Sequence, residues 1–154
     1  MSCTRPASLA ALALLLLTAA CGDGSTGDPA TTPFAPELGV DLAAMQRRES
    51  GLYVQELKVG EGVEAGVASM PSVRYTGWFA DGRLLDSNVG GAPLEFQLGL
   101  RQVIQGWEQG LLGMRVGGKR RLVIPSALGY GDEGRGPVPG KAVLVFDVEL
   151  LSLR

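Results

Sequence analysis

The chain carries no histidine, and its two cysteines, Cys3 and Cys21, both lie close to its start. Without a histidine to activate a hydroxyl or thiol, nucleophilic catalysis of the Ser/His or Cys/His kind has no residues to use. Nor do the carboxylates fall at spacings that suggest a zinc or EF-hand calcium site. Neither a metal nor an organic cofactor is expected. What remains is an aromatic set, Tyr75, Trp78, Phe79, Phe96, Trp107, Tyr130 and Phe146, together with the carboxylate of Asp86. Such a set can bind an apolar group in a dry cavity and orient polar groups around it. It can equally be core packing, and for any member taken alone the two readings are about even.

Three features tilt the balance toward a pocket. In Q-V-I-Q-G-W-E-Q-G-L-L-G-M-R-V-G-G, residues 102–118, the apolar residues Val103, Ile104, Trp107 and Leu111 recur at spacings of three and four. One helical face therefore turns an indole toward the interior. Gly106, Gly110 and Gly113 carry no side chains, which leaves that face lightly covered. Tyr130 lies in a Gly/Pro-rich segment, residues 125–141, that is long for a mere connection and reads as a functional flap. Asp86 follows the apolar pair Leu84 and Leu85, so its carboxylate is expected at the edge of the same cavity.

The elements that must position these residues follow from periodicity. Leu52 to Leu57, Ser72 to Phe79, Leu94 to Leu98, Lys119 to Ile124 and Ala142 to Leu151 alternate as strands do. Asp81-Gly82 signals a hairpin into Arg83-Leu84-Leu85. In the last strand Leu144, Phe146, Val148 and Leu150 share one face and Asp147 and Glu149 the other, which predicts an antiparallel sheet with one wet side. One helix is expected, from about Arg101 to Leu111, ended by Gly110 and Gly113. A short helix against a curved antiparallel sheet of about five strands makes an α+β half-barrel. Lys119-Arg120-Arg121 reads as a solvated face, and Glu108 and Gln109 as exposed helix residues. Gly-Arg-Gly-Pro-Val-Pro-Gly, residues 134–140, lacks the Lys-Ser/Thr ending of a phosphate loop, and its prolines remove the required N–H donors.

At the other end, one basic residue, Arg5, precedes an apolar run from Leu9 to Ala20. The run is too short to span a bilayer and suits the h-region of a secretory signal. Leu17-Thr18-Ala19-Ala20-Cys21 resembles a bacterial lipobox, whose cysteine is lipidated and becomes the new N-terminus. The alternative is ordinary signal cleavage that leaves a free thiol. Residues 1–20 then form a signal peptide, and residues 21–50 a lipidated Cys21, a flexible Gly/Ser/Thr/Pro linker and a lead-in. An envelope location is expected, with a weak lean to the outer membrane because Gly22 and not Asp follows the cysteine. Without the signal, thirteen of the fourteen basic groups face all sixteen acidic ones, so nucleic acid is not an expected partner.

The segments R-Y-T-G-W-F with L-D-S after it, V-I-Q-G-W-E-Q-G, and L-V-F-D-V-E-L-L occur in one order along residues 51–153. On these motifs the chain resembles the FKBP-type peptidyl-prolyl cis/trans isomerases. The resemblance implies an FKBP-like half-barrel over residues 51–154 and isomerisation of X-Pro bonds in exported proteins that are folding. It also implies a proline pocket with Trp107 as floor. Tyr75, Leu85, Leu94, Phe96, Val103, Ile104 and Phe146 would wall it, Val138 would cover it, and Asp86, Tyr130 and the Ile104 N–H would supply its polar rim. Leu85 and Leu94 stand where many members have Phe, and Gly140 where a second Pro after Pro139 is common. Expected partners are proline-containing polypeptides, with tacrolimus- or rapamycin-like ligands and a membrane reached through the lipid. The residues before the domain are too few for a helical dimerisation arm, so a monomer is expected. A Pro-peptide-binding module with little turnover is the competing function.

Overall fold

A computed structural model describes residues 26–154, so the expected signal peptide and Cys21 lie outside the described residues. Seven strands form one antiparallel sheet: β1 (Gln46–Arg47), β2 (Tyr53–Lys58), β3 (Pro71–Phe79), β4 (Leu84–Ser87), β5 (Leu94–Glu95), β6 (Lys119–Ile124) and β7 (Leu144–Leu153). Their order is β1-β2-β6-β7-β3-β4, with β5 also paired to β3. Five strands were expected. Of the two additions, β4 is the second arm of the hairpin signalled by Asp81-Gly82, and β1, an edge strand of two residues, is below the length at which alternation can be read.

The one α-helix among the described residues, α1 (Gln105–Gly110), is shorter than its periodicity suggests. Val103 and Ile104 precede it, with Ile104 extended at φ −60°, ψ 153° as its N-cap. The helix docks on the concave face of the sheet with no side chain between at Gly106 and Gly110. A Cβ there would come 2.5 Å from Ile124 and 2.6 Å from Leu122. These glycines therefore do not leave room for a pocket, as expected from sequence; β6 fills their space. Arg120 clamps the arrangement, its guanidinium donating to the Gly110 and Leu112 carbonyls at 2.7 and 2.9 Å and pairing with Glu56. Strand alternation does separate Arg120 from Lys119 and Arg121, but the basic run is not a solvated face. Arg120 is buried, and Arg121 pairs with Asp147 at 2.7 Å.

The outer face of the sheet is not wet either. Residues 26–45, expected as flexible linker and lead-in, pack across it through three 3-10 turns, Pro29–Thr31, Pro36–Leu38 and Leu42–Ala44. Prolines preset the first two turns, and the Asp28 and Asp41 carboxylates cap the first and third. Leu38 and Met45 are buried in a second cluster with Tyr53, Val123, Val143 and Val145, against which Phe34, Val40, Leu42 and Trp78 pack. The backbone is fastened as well: Ala35 N–H donates to the Ala80 carbonyl at 2.8 Å, and Arg121 to the Leu38 carbonyl at 2.5 Å. The apolar residues of this arm are irregularly spaced, and turns of this kind have no periodicity to detect.

If the arm is an integral layer, Leu38→Ala should destabilise the protein by about 2 kcal/mol or more, the cost of truncating a buried leucine. A free linker would tolerate the change. Urea unfolding of the two proteins distinguishes these outcomes.

Candidate functional site

The strand register places Tyr75 opposite Val148 and Gly77 opposite Phe146, so both aromatic residues rise from the concave face of β3 and β7. From the other side α1 lowers Trp107 between them. Trp107 meets Tyr75 edge-on at 5.0 Å between ring centroids and Phe146 at 5.3 Å, with Phe96 tilted against it at 5.9 Å. Such T-shaped pairs hold rings at defined angles, so the indole forms a rigid floor. Above it opens a concavity of about 690 Å³.

Ten of the eleven pocket residues read from the sequence line this space: Tyr75, Leu85, Asp86, Leu94, Val103, Ile104, Trp107, Tyr130, Val138 and Phe146; the eleventh, Phe96, does not border the cavity and packs against Trp107 instead. Cys21 lies outside the described residues. Arg101, Gln102, Gly129, Arg135, Gly136 and Pro137 line it too, and sequence reasoning missed them. Position in the loop before α1 and in the flap was the available signal for these six. The aromatic pattern drew attention elsewhere.

Polar groups are arranged in two ways. The Tyr75 hydroxyl donates to the Asp86 carboxylate at 2.6 Å, and that carboxylate also accepts from Ser87 N–H at 2.8 Å. Burial, then the hydrogen bond and negative charge of Asp86, push the Tyr75 hydroxyl up to about 12 from its ordinary 10.0. It therefore stays a donor across the physiological range. Tyr75 N–H donates in turn to Asn88 Oδ1 at 2.8 Å, a bracing residue that sequence reasoning did not single out. By contrast, the Tyr130 hydroxyl and the Ile104 N–H at the rim have no hydrogen-bond partner among the described residues, which leaves both available to a ligand carbonyl. The Trp107 indole N–H is likewise buried without an acceptor.

The flap is set by local geometry. Its tip closes as a tight antiparallel bridge between Arg135 and Val138, which exchange backbone hydrogen bonds of 2.8 and 3.0 Å. At Gly140 a Cβ would lie 2.0 Å from the Asp132 carbonyl oxygen, so this flap is built around the absence of a side chain there. Glu108, expected to be an exposed helix residue, instead accepts from Gly99 N–H at 2.7 Å and ties the loop before α1 to the helix. No group of His, Cys, Asp and Glu able to hold a metal ion occurs among the described residues.

Residues 67–151 match the family model for FKBP-type peptidyl-prolyl cis-trans isomerases. The chain is 47% identical over 105 residues to an FK506-binding protein of Neisseria meningitidis, covering 67% of this chain and 96% of that one. It is 43% identical over 106 residues to FK506-binding protein 4 of Rhizopus delemar, covering 68% of this chain but 28% of the relative. It thus spans about a quarter of the length of such fungal relatives. Among solved structures, FkpA from Escherichia coli aligns with a TM-score of 0.69 at 36% identity, over 77% of this chain and 55% of that one. AtFKBP13 aligns with a TM-score of 0.67 at 36% identity, over 71% and 98%.

Because its charged form is disfavoured, the neutral Tyr75 hydroxyl contributes stability that is complete below pH 10 and is lost as pH rises through about 12. In an alkaline titration of phenolate absorbance, Tyr75→Phe should remove an ionisation near pH 12. Loss of an ionisation near pH 10 instead would mean that in solution the hydroxyl is neither buried nor bonded to Asp86.

Proposed function

The chain belongs to the FKBP-type peptidyl-prolyl cis-trans isomerase family, and from that premise we propose that it accelerates cis/trans isomerisation of X-Pro bonds in exported polypeptides. The observation that carries this reading is the Trp107 floor, packed against three further aromatic rings and rimmed by the unpaired Tyr130 hydroxyl and Ile104 N–H.

An X-Pro bond turns slowly because amide resonance must be broken, at a barrier of roughly 18–20 kcal/mol. No covalent step is needed to lower it. As the amide twists, its carbonyl dipole weakens, so a dry apolar wall favours the twisted form over the planar, well-hydrated one. A proline ring seated on Trp107 leaves the flanking carbonyls at the rim, within the province of Tyr130 and Ile104. Each ~1.4 kcal/mol of preference for the twisted amide is worth about tenfold in rate. The chemistry asks for shape and donors, which suits a chain with no histidine. Leu85 and Leu94 give one wall aliphatic rather than aromatic surface, and tacrolimus-like ligands would bind there with less ring contact.

For location, we propose that the mature chain is a monomer held to an envelope membrane through lipid on Cys21. The short apolar run and the Leu-Thr-Ala-Ala-Cys sequence support this. No helix among the described residues is long and apolar enough to cross a membrane. Because the arm packs from Thr26 onward, only Gly22 to Ser25 separate Cys21 from the packed domain. At most about 3.6 Å per residue, this keeps Thr26 within roughly 18 Å of the anchor.

Exchange spectroscopy on a prolyl peptide tests the activity. The protein should shorten the isomerisation time, and Tyr130→Phe should lower turnover roughly tenfold while stability holds, because the hydroxyl has no hydrogen bond to lose among the described residues. Binding without acceleration would instead make the protein a prolyl-segment binding module. Mass spectrometry of the mature N-terminus tests the anchor: a lipid-modified Cys21 is expected, and an unmodified peptide starting at or after Gly22 would refute it.

A further inference from the structure

We propose that Arg101 and Arg135 form a cationic rim that selects prolyl substrates bearing a carboxylate next to the proline. The inference rests on the isomerase reading and adds a substrate class to it. Both arginines line the pocket, from opposite sides in sequence: Arg101 in the loop before α1, Arg135 at the tip of the flap. Both are exposed, and neither guanidinium has a partner among the described residues. The ion pairs among the described residues use Arg83, Arg115, Arg120, Arg121 and Arg154 instead.

Their backbones are held while their side chains stay free. Arg101 sits at φ +55°, in the left-handed region that disfavours an L side chain. Glycine or asparagine would meet that turn with less strain, yet a long cation occupies it. The loop around it is fastened by Gly99 N–H to Glu108 at 2.7 Å and by Gln97 N–H to the Gln102 side chain at 2.8 Å. Arg135 is fixed by its paired hydrogen bonds with Val138, between Gly134 at φ +73° and Gly136 at φ +56°.

Charge at the mouth opposes that of the molecule. The chain has a net charge of −2, but the cavity lining holds two arginines against one carboxylate, Asp86. Asp86 is engaged by Tyr75 and Ser87, and the flap acids Asp132 and Glu133 are exposed without lining the cavity. A low-dielectric concavity rimmed by one sign of charge concentrates its field on what enters. With the proline on Trp107, neighbouring residues of an extended peptide lie about 3.3–3.6 Å per residue away along the chain, at the rim. An aspartate or glutamate there gains a partner, and a lysine meets repulsion.

The test uses the full chain and peptides that differ only in having Glu, Gln or Lys beside the proline, on either side, with rates from exchange spectroscopy. Expected kcat/KM falls in the order Glu, Gln, Lys. The Glu-to-Gln ratio should be about 1.5- to fivefold at low ionic strength, the range of exposed ion pairs, and should shrink as salt is added. In the double variant Arg101→Gln/Arg135→Gln that ratio should fall toward one, whereas Arg101→Lys/Arg135→Lys should retain a preference for Glu. Equal rates for the three peptides, or a Glu preference that survives the double Gln variant, would overturn the rim while leaving the isomerase reading intact. Turnover of none of the peptides would overturn both.

Discussion

The side-chain-free contact between α1 and β6 is the constraint on which the rest depends. At Gly106 and Gly110 the helix lies so close to Ile124 and Leu122 that no methyl group fits between. Glycine inside a helix costs about 0.5–1 kcal/mol relative to alanine, and a helix of six residues without a side-chain N-cap has little stability of its own. Tertiary contacts must therefore hold it. Arg120 does so at the C-terminal end, gripping the carbonyls of Gly110, the last helical residue, and of Leu112 just beyond the helix, while pairing with Glu56 on β2. With the backbone pressed down, the one large side chain in the helix, Trp107, is forced sideways into the concave aromatic box. The floor of the pocket is thus a consequence of helix docking.

A second dependence runs through the N-terminal arm. A sheet with apolar residues on both faces needs a cover on each, and residues 34–45 supply the outer one. The arm also reaches the root of the flap, where Ser126 N–H donates to the Gly27 carbonyl at 3.0 Å. Ser126 then accepts from Gly131 N–H at 2.8 Å, directly after Tyr130. The same layer that completes the core therefore adjoins the base of the loop that carries a pocket donor. Stability of the sheet and placement of the flap share contacts.

Within the pocket, apolar floor and polar rim divide the work. The floor binds by shape and area, and its one buried polar atom, the Trp107 indole N–H, has no acceptor in the protein. At the rim Asp86 and Tyr75 satisfy one another, so that Tyr75 keeps its proton and serves as wall. Tyr130 and the Ile104 N–H are left unpaired, and so are the two arginines farther out. For the proposed reaction, amide rotation, no proton is transferred, so this division needs no titrating group tuned to neutral pH.

Much of this was legible in the chain. Strands of six residues or more alternate clearly enough to be read, as in Lys119 to Ile124, whose observed bounds match the expected ones. Pocket aromatics could be named because the motifs around Tyr75, Trp107 and Phe146 set their order and their faces. Local sequence does not encode what a residue meets from far along the chain. Gly106 and Gly110 looked like empty space and proved to be contact surface, because Ile124 and Leu122 arrive there from β6. Arg120 looked solvated and proved to be a clamp, since its carbonyl partners, ten and eight residues earlier, are the end of the helix and the residue just past its cap. Residues 26–45 looked like a linker, because 3-10 turns lack period and only the outer face of a folded sheet gives their scattered apolar residues something to cover. Periodicity and motif are properties of neighbours in sequence and determine elements and candidate residues. Burial, pairing and the sign of charge at a pocket mouth depend on which distant segments are brought together, and only the tertiary structure decides that.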